Sequence, residues 1–164
     1  MGSLELPARH ELVVNVSDGQ YRLEDTEIII EDGWPDSEDR LTTGEDRWFV
    51  VLTGLEWGPL NVTIDTGTGP LETDFFSWDS VVQRGIEVTH SSVDILGTGL
   101  TVQHEISLPG SGWYVVQVHA RGRMSRLAKG HNAGGEEEHL IQLRPADGPV
   151  PNRLLVGPDE FGQL

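Results

Sequence analysis

The stretch Gly112–Arg123, GWYVVQVHARGR, decides the fold class, because apolar and polar side chains alternate along it. Successive side chains of a β-strand point to opposite faces, so this period of two predicts a strand with one buried face. The apolar face consists of Tyr114, Val116, Val118 and Ala120. His119 therefore lies on the other face. A second run, Glu138–Arg144, alternates in the same way and places His139 beside its inward residues.

The rest of the chain extends this pattern. Short runs rich in Val, Ile and Leu recur roughly every ten residues, separated by turn-forming residues. No longer stretch shows the 3.6-residue period of an amphipathic helix. We therefore predict an all-β fold, a two-sheet antiparallel β-sandwich with jelly-roll or immunoglobulin-like connections and little or no helix. The predicted strands before Gly112 are Glu11–Val16, Tyr21–Asp25, Thr26–Ile30, Arg47–Thr53, Pro59–Asp65, Ser77–Thr89, Val93–Leu96 and Leu100–Ile106.

Turn-forming residues define the remaining organisation. Asp18-Gly19 is a hairpin-type dipeptide, which predicts a tight turn between the first two strands. Residues 31–46, EDGWPDSEDRLTTGED, are polar and predict a loop. Residues 1–164 form a single predicted domain, in which the proline- and glycine-rich residues 147–164 are an irregular surface tail.

Charge is the strongest signal in the composition. The chain holds 27 acidic and 11 basic residues, a net charge of −16. Residues 1–82 contain 18 carboxylates and 4 arginines, whereas residues 83–164 contain 9 carboxylates and 7 basic residues. An anionic surface repels nucleic acid and anionic membranes and attracts cations or a basic protein. We therefore expect a basic protein partner, and neither nucleic acid nor a membrane.

The sequence lacks the motifs of several enzyme classes. It contains no cysteine, which excludes disulfides, thiolate metal sites and thiol nucleophiles. It has neither a G-x-S-x-G nucleophile elbow nor a phosphate-binding loop with lysine. No catalytic residue and no cofactor is therefore assigned. Because the start lacks a secretory signal pattern and no apolar run is long enough for a membrane span, we expect a cytoplasmic protein.

Histidines near carboxylates raise the alternative of a jelly-roll enzyme with a metal. That alternative requires His104, His119 or His139 to converge with carboxylates. The alternation instead places His119 and His139 on opposite faces, which argues against a shared metal and favours solvated or locally hydrogen-bonded side chains. We expect the three glutamates at 136–138 to be solvated charges that protect a strand edge. No metal ligand is assigned.

The acidic loop 31–46 holds the candidate partner-binding residues, which combine carboxylates with an aromatic anchor of the kind enriched at interfaces. They are Asp32, Trp34, Asp36, Glu38 and Asp39. Two alternatives for this loop stay open: a merely solvated loop, and calcium binding, although the loop lacks the spacing of an EF-hand. The five tryptophans leave a further alternative, because aromatic rings on a sandwich face can stack on sugars.

The carboxy-terminal strands also carry a resemblance. Gly112-Trp113-Tyr114, His119–Arg123 and Glu138–Leu143 are similar to a group of uncharacterised actinobacterial all-β proteins. More distantly, the layout of an acidic all-β chain with two late strands resembles the competence protein J family, which includes an inhibitor of a DNA-entry nuclease. The resemblance implies a bacterial protein that binds another protein. Its motif residues look structural, so it implies no functional residue.

These observations favour a non-enzymatic, acidic protein-binding module, an inhibitor or immunity-type partner of a basic enzyme such as a nuclease. The runner-up is a small-ligand or carbohydrate-binding β-sandwich, with or without calcium.

Overall fold

A computed structural model describes residues 9–26, 36–97, 101–124 and 136–164. Eleven strands within these ranges form two sheets that pack face to face, which confirms the predicted all-β sandwich. A short 3-10 helix, Phe161–Gln163, follows the last strand. The strands are β1 (Arg9–Val16), β2 (Gln20–Asp25), β3 (Thr42–Glu45), β4 (Trp48–Leu52), β5 (Gly58–Asp65), β6 (Ser80–Val88), β7 (Ser92–Leu96), β8 (Val102–Ser107), β9 (Gly112–Arg121), β10 (Glu138–Ala146) and β11 (Arg153–Val156).

The two sheets differ in size and in pairing. The six-stranded sheet has the order β1-β5-β10-β9-β6-β11, and the five-stranded sheet has the order β3-β4-β2-β7-β8. One described pair departs from the predicted antiparallel arrangement, because β5 and β10 run parallel. Parallel neighbours require a crossover connection, and the chain makes β6 to β9 between these two strands.

The turn at Asp18-Gly19 forms as predicted, but it does not join a simple hairpin. Asp18 has φ 53° and Gly19 has φ 72°, so both adopt the positive φ that this dipeptide favours. A single bridge pairs Ser17 with Gln20. Beyond it, β1 pairs with β5, whereas β2 pairs with β4 and β7. The turn therefore passes the chain from one sheet to the other, which corrects the hairpin interpretation.

The core lies between the inner faces of the sheets and follows the predicted alternation. Tyr114, Val116, Val118 and Ala120 of β9 are all buried there, with at most 2% of their surface exposed. Side chains of the five-stranded sheet, including Tyr21, Leu23 and Phe49, meet them from the other side. Burial of this apolar surface is the main stabilising contribution to such a fold.

Two segments contain more regular structure than the sequence predicts. The predicted loop 31–46 contains the short strand β3, paired with β4. The predicted irregular tail 147–164 contains β11, which pairs with β6 at the sheet edge. Of the predicted strand Thr26–Ile30, only Thr26 lies within the described residues, and it belongs to a turn. Within the described ranges, no helix has the length and apolar character that a membrane crossing requires.

Candidate partner-binding surface

The candidate residues do not share one environment. Asp36 and Glu38 are exposed, whereas only 5% of the surface of Asp39 is exposed. Asp32 and Trp34 lie outside the described residues. Among the candidates in the described part of the chain, Asp36 and Glu38 therefore present charge to solvent.

Asp39 stabilises the turn that precedes β3. Its Oδ1 accepts hydrogen bonds from the backbone N–H groups of Leu41 at 2.8 Å and Thr42 at 2.5 Å. Its Oδ2 accepts the Thr42 hydroxyl at 2.6 Å, and Arg84 Nη1 donates to that same hydroxyl oxygen at 3.0 Å. Because these bonds engage both carboxylate oxygens in a buried site, Asp39 is a structural residue. Only 5% of its surface is left for the predicted contact with a partner.

Asp36 and Glu38 lie at the end of the sandwich that contains the β1–β2 turn. The segment 36–41 reaches this end where Leu52 N–H, at the end of β4, donates to the Leu41 carbonyl at 2.8 Å. In the sheet register Leu52 pairs with Gln20, the residue that follows the β1–β2 turn.

Three further segments meet at the same end. Gly19 N–H donates to the carbonyl of Glu56 at 2.7 Å, and Gly122 N–H donates to Asp79 Oδ2 at 3.0 Å. The backbone of Glu136 lies directly against Gly122. We call this surface the acidic end. Its exposed carboxylates are Asp18, Asp36, Glu38, Glu56, Asp79, Glu136 and Glu160.

Arg123 joins the segments of the acidic end from inside. Its side chain is fully buried and forms a bidentate ion pair with Asp159, with Nε to Oδ2 at 2.8 Å and Nη2 to Oδ1 at 2.5 Å. It also donates to the carbonyl oxygens of Leu52 and Arg40, each at 3.1 Å. Its guanidinium lies 4.8 Å from the centroid of the Phe161 ring. One arginine thus connects β4, the segment 36–41 and the carboxy-terminal residues.

Glu137 is a second buried charged residue that connects segments of the acidic end. Its burial contradicts the expectation of a solvated glutamate. Its side chain is fully buried and accepts the N–H groups of Gly54 at 3.1 Å and Leu55 at 2.8 Å. It also accepts His139 Nε2 at 2.8 Å, and His139 Nδ1 lies 2.7 Å from the Tyr21 hydroxyl. Since Tyr21 belongs to the five-stranded sheet and His139 to the six-stranded sheet, this network joins the two. Of the other two glutamates, Glu136 is exposed as expected.

Electrostatics favours the charged form of Glu137. Burial by itself raises the pKa of this carboxyl, but the His139 hydrogen bond and the two backbone N–H donors outweigh it, so the pKa lies below its ordinary value. Burial, together with the charge of Glu137, raises the pKa of Tyr21 well above its ordinary value. The network therefore contains one fixed negative charge and a neutral tyrosine.

His119 and His139 point to opposite faces, as the alternation predicts. His139 faces the core, whereas His119 lies on the outer face, where its Nδ1 donates to the Leu140 carbonyl at 3.0 Å. Both are buried and locally hydrogen-bonded, which is the second of the two states that the sequence predicts for them. No group of three or more His, Asp or Glu side chains within the described ranges has the arrangement of a metal site.

The charge of residues 1–82 is spread more widely than its total suggests. Four of the carboxylates there are buried and engaged in structural contacts, namely Glu24, Asp25, Asp39 and Asp65. Others are exposed away from the acidic end, such as Glu45 and Asp46 in the β3–β4 turn. The acidic end also includes two carboxylates from the later half, Glu136 and Glu160. The charge of the acidic end therefore comes from both halves of the sequence, which the fold brings together.

The described tryptophans do not form a single aromatic face. Trp48 is buried on the five-stranded sheet, Trp78 packs on Arg121, and Trp113 pairs with Glu87 at the opposite end of the molecule. Trp57 is 52% exposed and follows Glu56 at the acidic end. From the sequence, Trp57 is one of five tryptophans that could stack on sugars, and it is not among the predicted partner-binding residues. Its position between Glu56 and Gly58-Pro59, in a connection between strands, was the available signal.

The fold is similar to that of solved structures. The crystal structure of ComJ, inhibitor of the DNA degrading activity of NucA, from Bacillus subtilis, superposes with a TM-score of 0.61 and 10% sequence identity, over 84% of this chain and 96% of that chain. Crocagin biosynthetic gene J superposes with a TM-score of 0.56 and 13% identity, over the same shares of each chain. No protein-family model and no curated protein sequence matches. The likeness confirms, at the level of the fold, the distant resemblance to the competence protein J family.

Proposed function

We propose that this chain is a non-enzymatic protein-binding module whose acidic end inhibits a basic enzyme such as a nuclease. The observation that carries the proposal is the convergence of exposed carboxylates from six segments on one end of a sandwich. The fold likeness to ComJ, itself a nuclease inhibitor, supports the same reading.

The physical mechanism is replacement of phosphates by carboxylates. A nuclease binds DNA through a cleft lined with arginine and lysine, and such a cleft attracts any rigid array of negative charge. Electrostatic complementarity of this kind accelerates association and makes it sensitive to salt. The buried contacts of Arg123 and Glu137 fix the segments that carry the carboxylates, so little conformational entropy is lost on binding.

Trp57 supplies the apolar contact that a charged surface lacks. Binding energy at interfaces concentrates in a few aromatic and arginine residues surrounded by polar contacts. Trp57 is half exposed and lies beside Glu56, within the acidic end. In this proposal Trp57 is an aromatic anchor, the role that the sequence also predicts for Trp34, which lies outside the described residues.

A pair of charge-reversal variants tests the proposal. The acidic-end variant is Asp36→Lys with Glu38→Lys and Glu160→Lys. The opposite-end variant, with an equal change in net charge, is Glu45→Lys with Asp46→Lys and Asp147→Lys, all exposed. DNA degradation is measured with a panel of purified nucleases that have basic clefts, NucA among them. We expect the wild-type chain to inhibit at least one nuclease. The inhibition constant for that nuclease should weaken roughly 100-fold in the acidic-end variant and not in the opposite-end variant.

Two results would contradict the proposal. One is a panel in which no nuclease is inhibited by the wild-type chain. The other is equal inhibition by both variants, because the effect would then follow net charge and not the acidic end.

A further inference from the structure

A row of polar side chains crosses the outer face of the six-stranded sheet, away from the contacts described above. The sheet register aligns one residue from each strand: Arg9, Asp65, Gln142, Gln117, Gln83 and Arg153. The central members of this row are buried, with Gln117 4% and Gln142 2% exposed. His119 lies two residues after Gln117 on the same face. Buried polar residues on an outer face imply that something covers them.

The cover is the connection between β5 and β6, residues 66–79. Its Glu72 N–H donates to Gln142 Oε1 at 2.9 Å, and the rings of Phe75 and Trp78 lie 6.0 Å and 5.3 Å from the ring of His119. The connection contains no strand and no helix. Connections of this length without secondary structure are uncommon in compact domains, and binding loops and lids are frequent among them.

Two buried polar atoms beneath this cover lack a hydrogen bond. His119 Nε2 and Gln117 Oε1 are buried, and neither has a hydrogen-bond partner among the described residues. His119 Nδ1 donates to the Leu140 carbonyl, and burial lowers the pKa of the ring, so Nε2 carries a lone pair. Both atoms are therefore acceptors without a donor. Unsatisfied buried polar atoms destabilise a fold, which makes each one informative.

An open groove adjoins the covered part of the same face. It has a volume of about 430 Å³ and is lined by Glu11, Val13, Asn61, Thr63 and Glu138, among others. The register places Thr63 beside Leu140, and Leu140 beside His119. A ligand that lies in this groove would therefore reach the edge of the cover, one strand away from His119.

We propose that residues 66–79 form a lid over a binding site for a neutral, hydroxyl-bearing ligand such as a sugar, recognised by His119 and Gln117. Hydroxyl groups supply the donors that the two acceptors lack. Phe75 and Trp78 supply aromatic surface for the apolar face of a sugar ring, and the groove supplies carboxylates and an amide for its other hydroxyls. The lid shares Asp79 with the acidic end, but His119, Gln117 and the groove do not belong to that surface, so the ligand site does not depend on the proposed inhibition.

The test uses the full chain with a panel of neutral mono- and disaccharides. Calorimetry detects binding, and nitrogen-15 NMR of the histidine side chains reports on His119 Nε2, whose signal should move when a hydroxyl donates to it. We expect at least one saccharide to bind and to shift this signal. Gln117→Leu and Trp78→Ala should each weaken binding at least ten-fold, while Glu105→Ala, an exposed change on the other sheet, should not.

Several results would overturn the proposal. One is the absence of any saccharide that shifts the His119 signal. Another is binding that Gln117→Leu and Trp78→Ala leave unchanged, which would place the sugar elsewhere. A third is a crystal structure, soaked with the same panel, in which a water molecule alone bonds to His119 Nε2 and Gln117 Oε1.

Discussion

The two ends of the sandwich are each stabilised by an aspartate–arginine pair, but the two pairs differ in burial. At the acidic end both partners are buried: Arg123 is fully buried, and the Asp159 side chain is 7% exposed. At the opposite end only the carboxylate is buried: Asp25 is fully buried, whereas the Arg47 side chain is 39% exposed. A buried arginine holds its positive charge inside the fold, whereas the pair with the buried carboxylate keeps its arginine near the surface. The placement of each pair therefore influences the charge that its end presents to a partner.

The largest expected effect comes from removing the buried arginine. Arg123→Met leaves Asp159 with one remaining donor, the Gly162 N–H, and removes the donor to two carbonyl oxygens. Breaking a buried ion pair costs about 3–5 kcal/mol. Arg47→Met should cost less, about 1.5 kcal/mol, because Asp25 retains hydrogen bonds from the N–H and hydroxyl of Thr89. Urea unfolding of both variants checks this order. Equal losses of unfolding free energy in the two variants would contradict the predicted difference between the two ends.

A pH-dependent effect should follow from Glu137. Its pKa is lowered in the folded state, so its charge stabilises the fold above the ordinary pKa of 4.5 and this contribution is lost as the pH falls through the folded-state value. Glu137→Gln should therefore lower the free energy of unfolding by about 2 kcal/mol near pH 7. The difference in this free energy between wild type and variant should shrink below pH 4.5.

Urea unfolding of wild type and Glu137→Gln across this pH range measures the difference. Glu136→Gln, an exposed neighbour, is the matched control and should show little change at any pH. A difference between wild type and Glu137→Gln that stays constant down to pH 2 would contradict a charged Glu137.

The smallest expected effect concerns two tyrosines. Tyr21→Phe removes the hydroxyl that bonds to buried His139, and should cost about 1–2 kcal/mol. Tyr114→Phe removes a hydroxyl that bonds to Gly110, a partly exposed residue of the β8–β9 turn at the opposite end, where water can replace it. It should cost under about 1 kcal/mol. Thermal unfolding compares the two, and a larger loss for Tyr114→Phe would contradict the network that joins the sheets.

The alternation of side chains made the strands and the inner face predictable from the sequence. It specified, for example, the opposite directions of His119 and His139, because side-chain direction in a strand is a local property. The strand order is not local. The turn at Asp18-Gly19 has the geometry that its residues favour. These two residues do not determine, however, that β1 and β2 belong to different sheets.

The candidate surface was predictable only in part, for the same reason. Asp36 and Glu38 are exposed as their polar context suggests. Asp39 is buried because Leu41 and Thr42 fold back onto its carboxylate, a capping pattern that its spacing from Thr42 could have indicated. Burial of Glu137 depends on Gly54 and Leu55, more than 80 residues earlier in the chain, and no local pattern contains that contact.

The most direct test of the account is the salt dependence of nuclease inhibition by the two charge-reversal variants. For the wild type and the opposite-end variant, the inhibition constant should rise steeply as the salt concentration increases. The acidic-end variant should inhibit weakly at every salt concentration and show little salt dependence. The account would be contradicted if the acidic-end variant kept both the affinity and the salt dependence of the wild type.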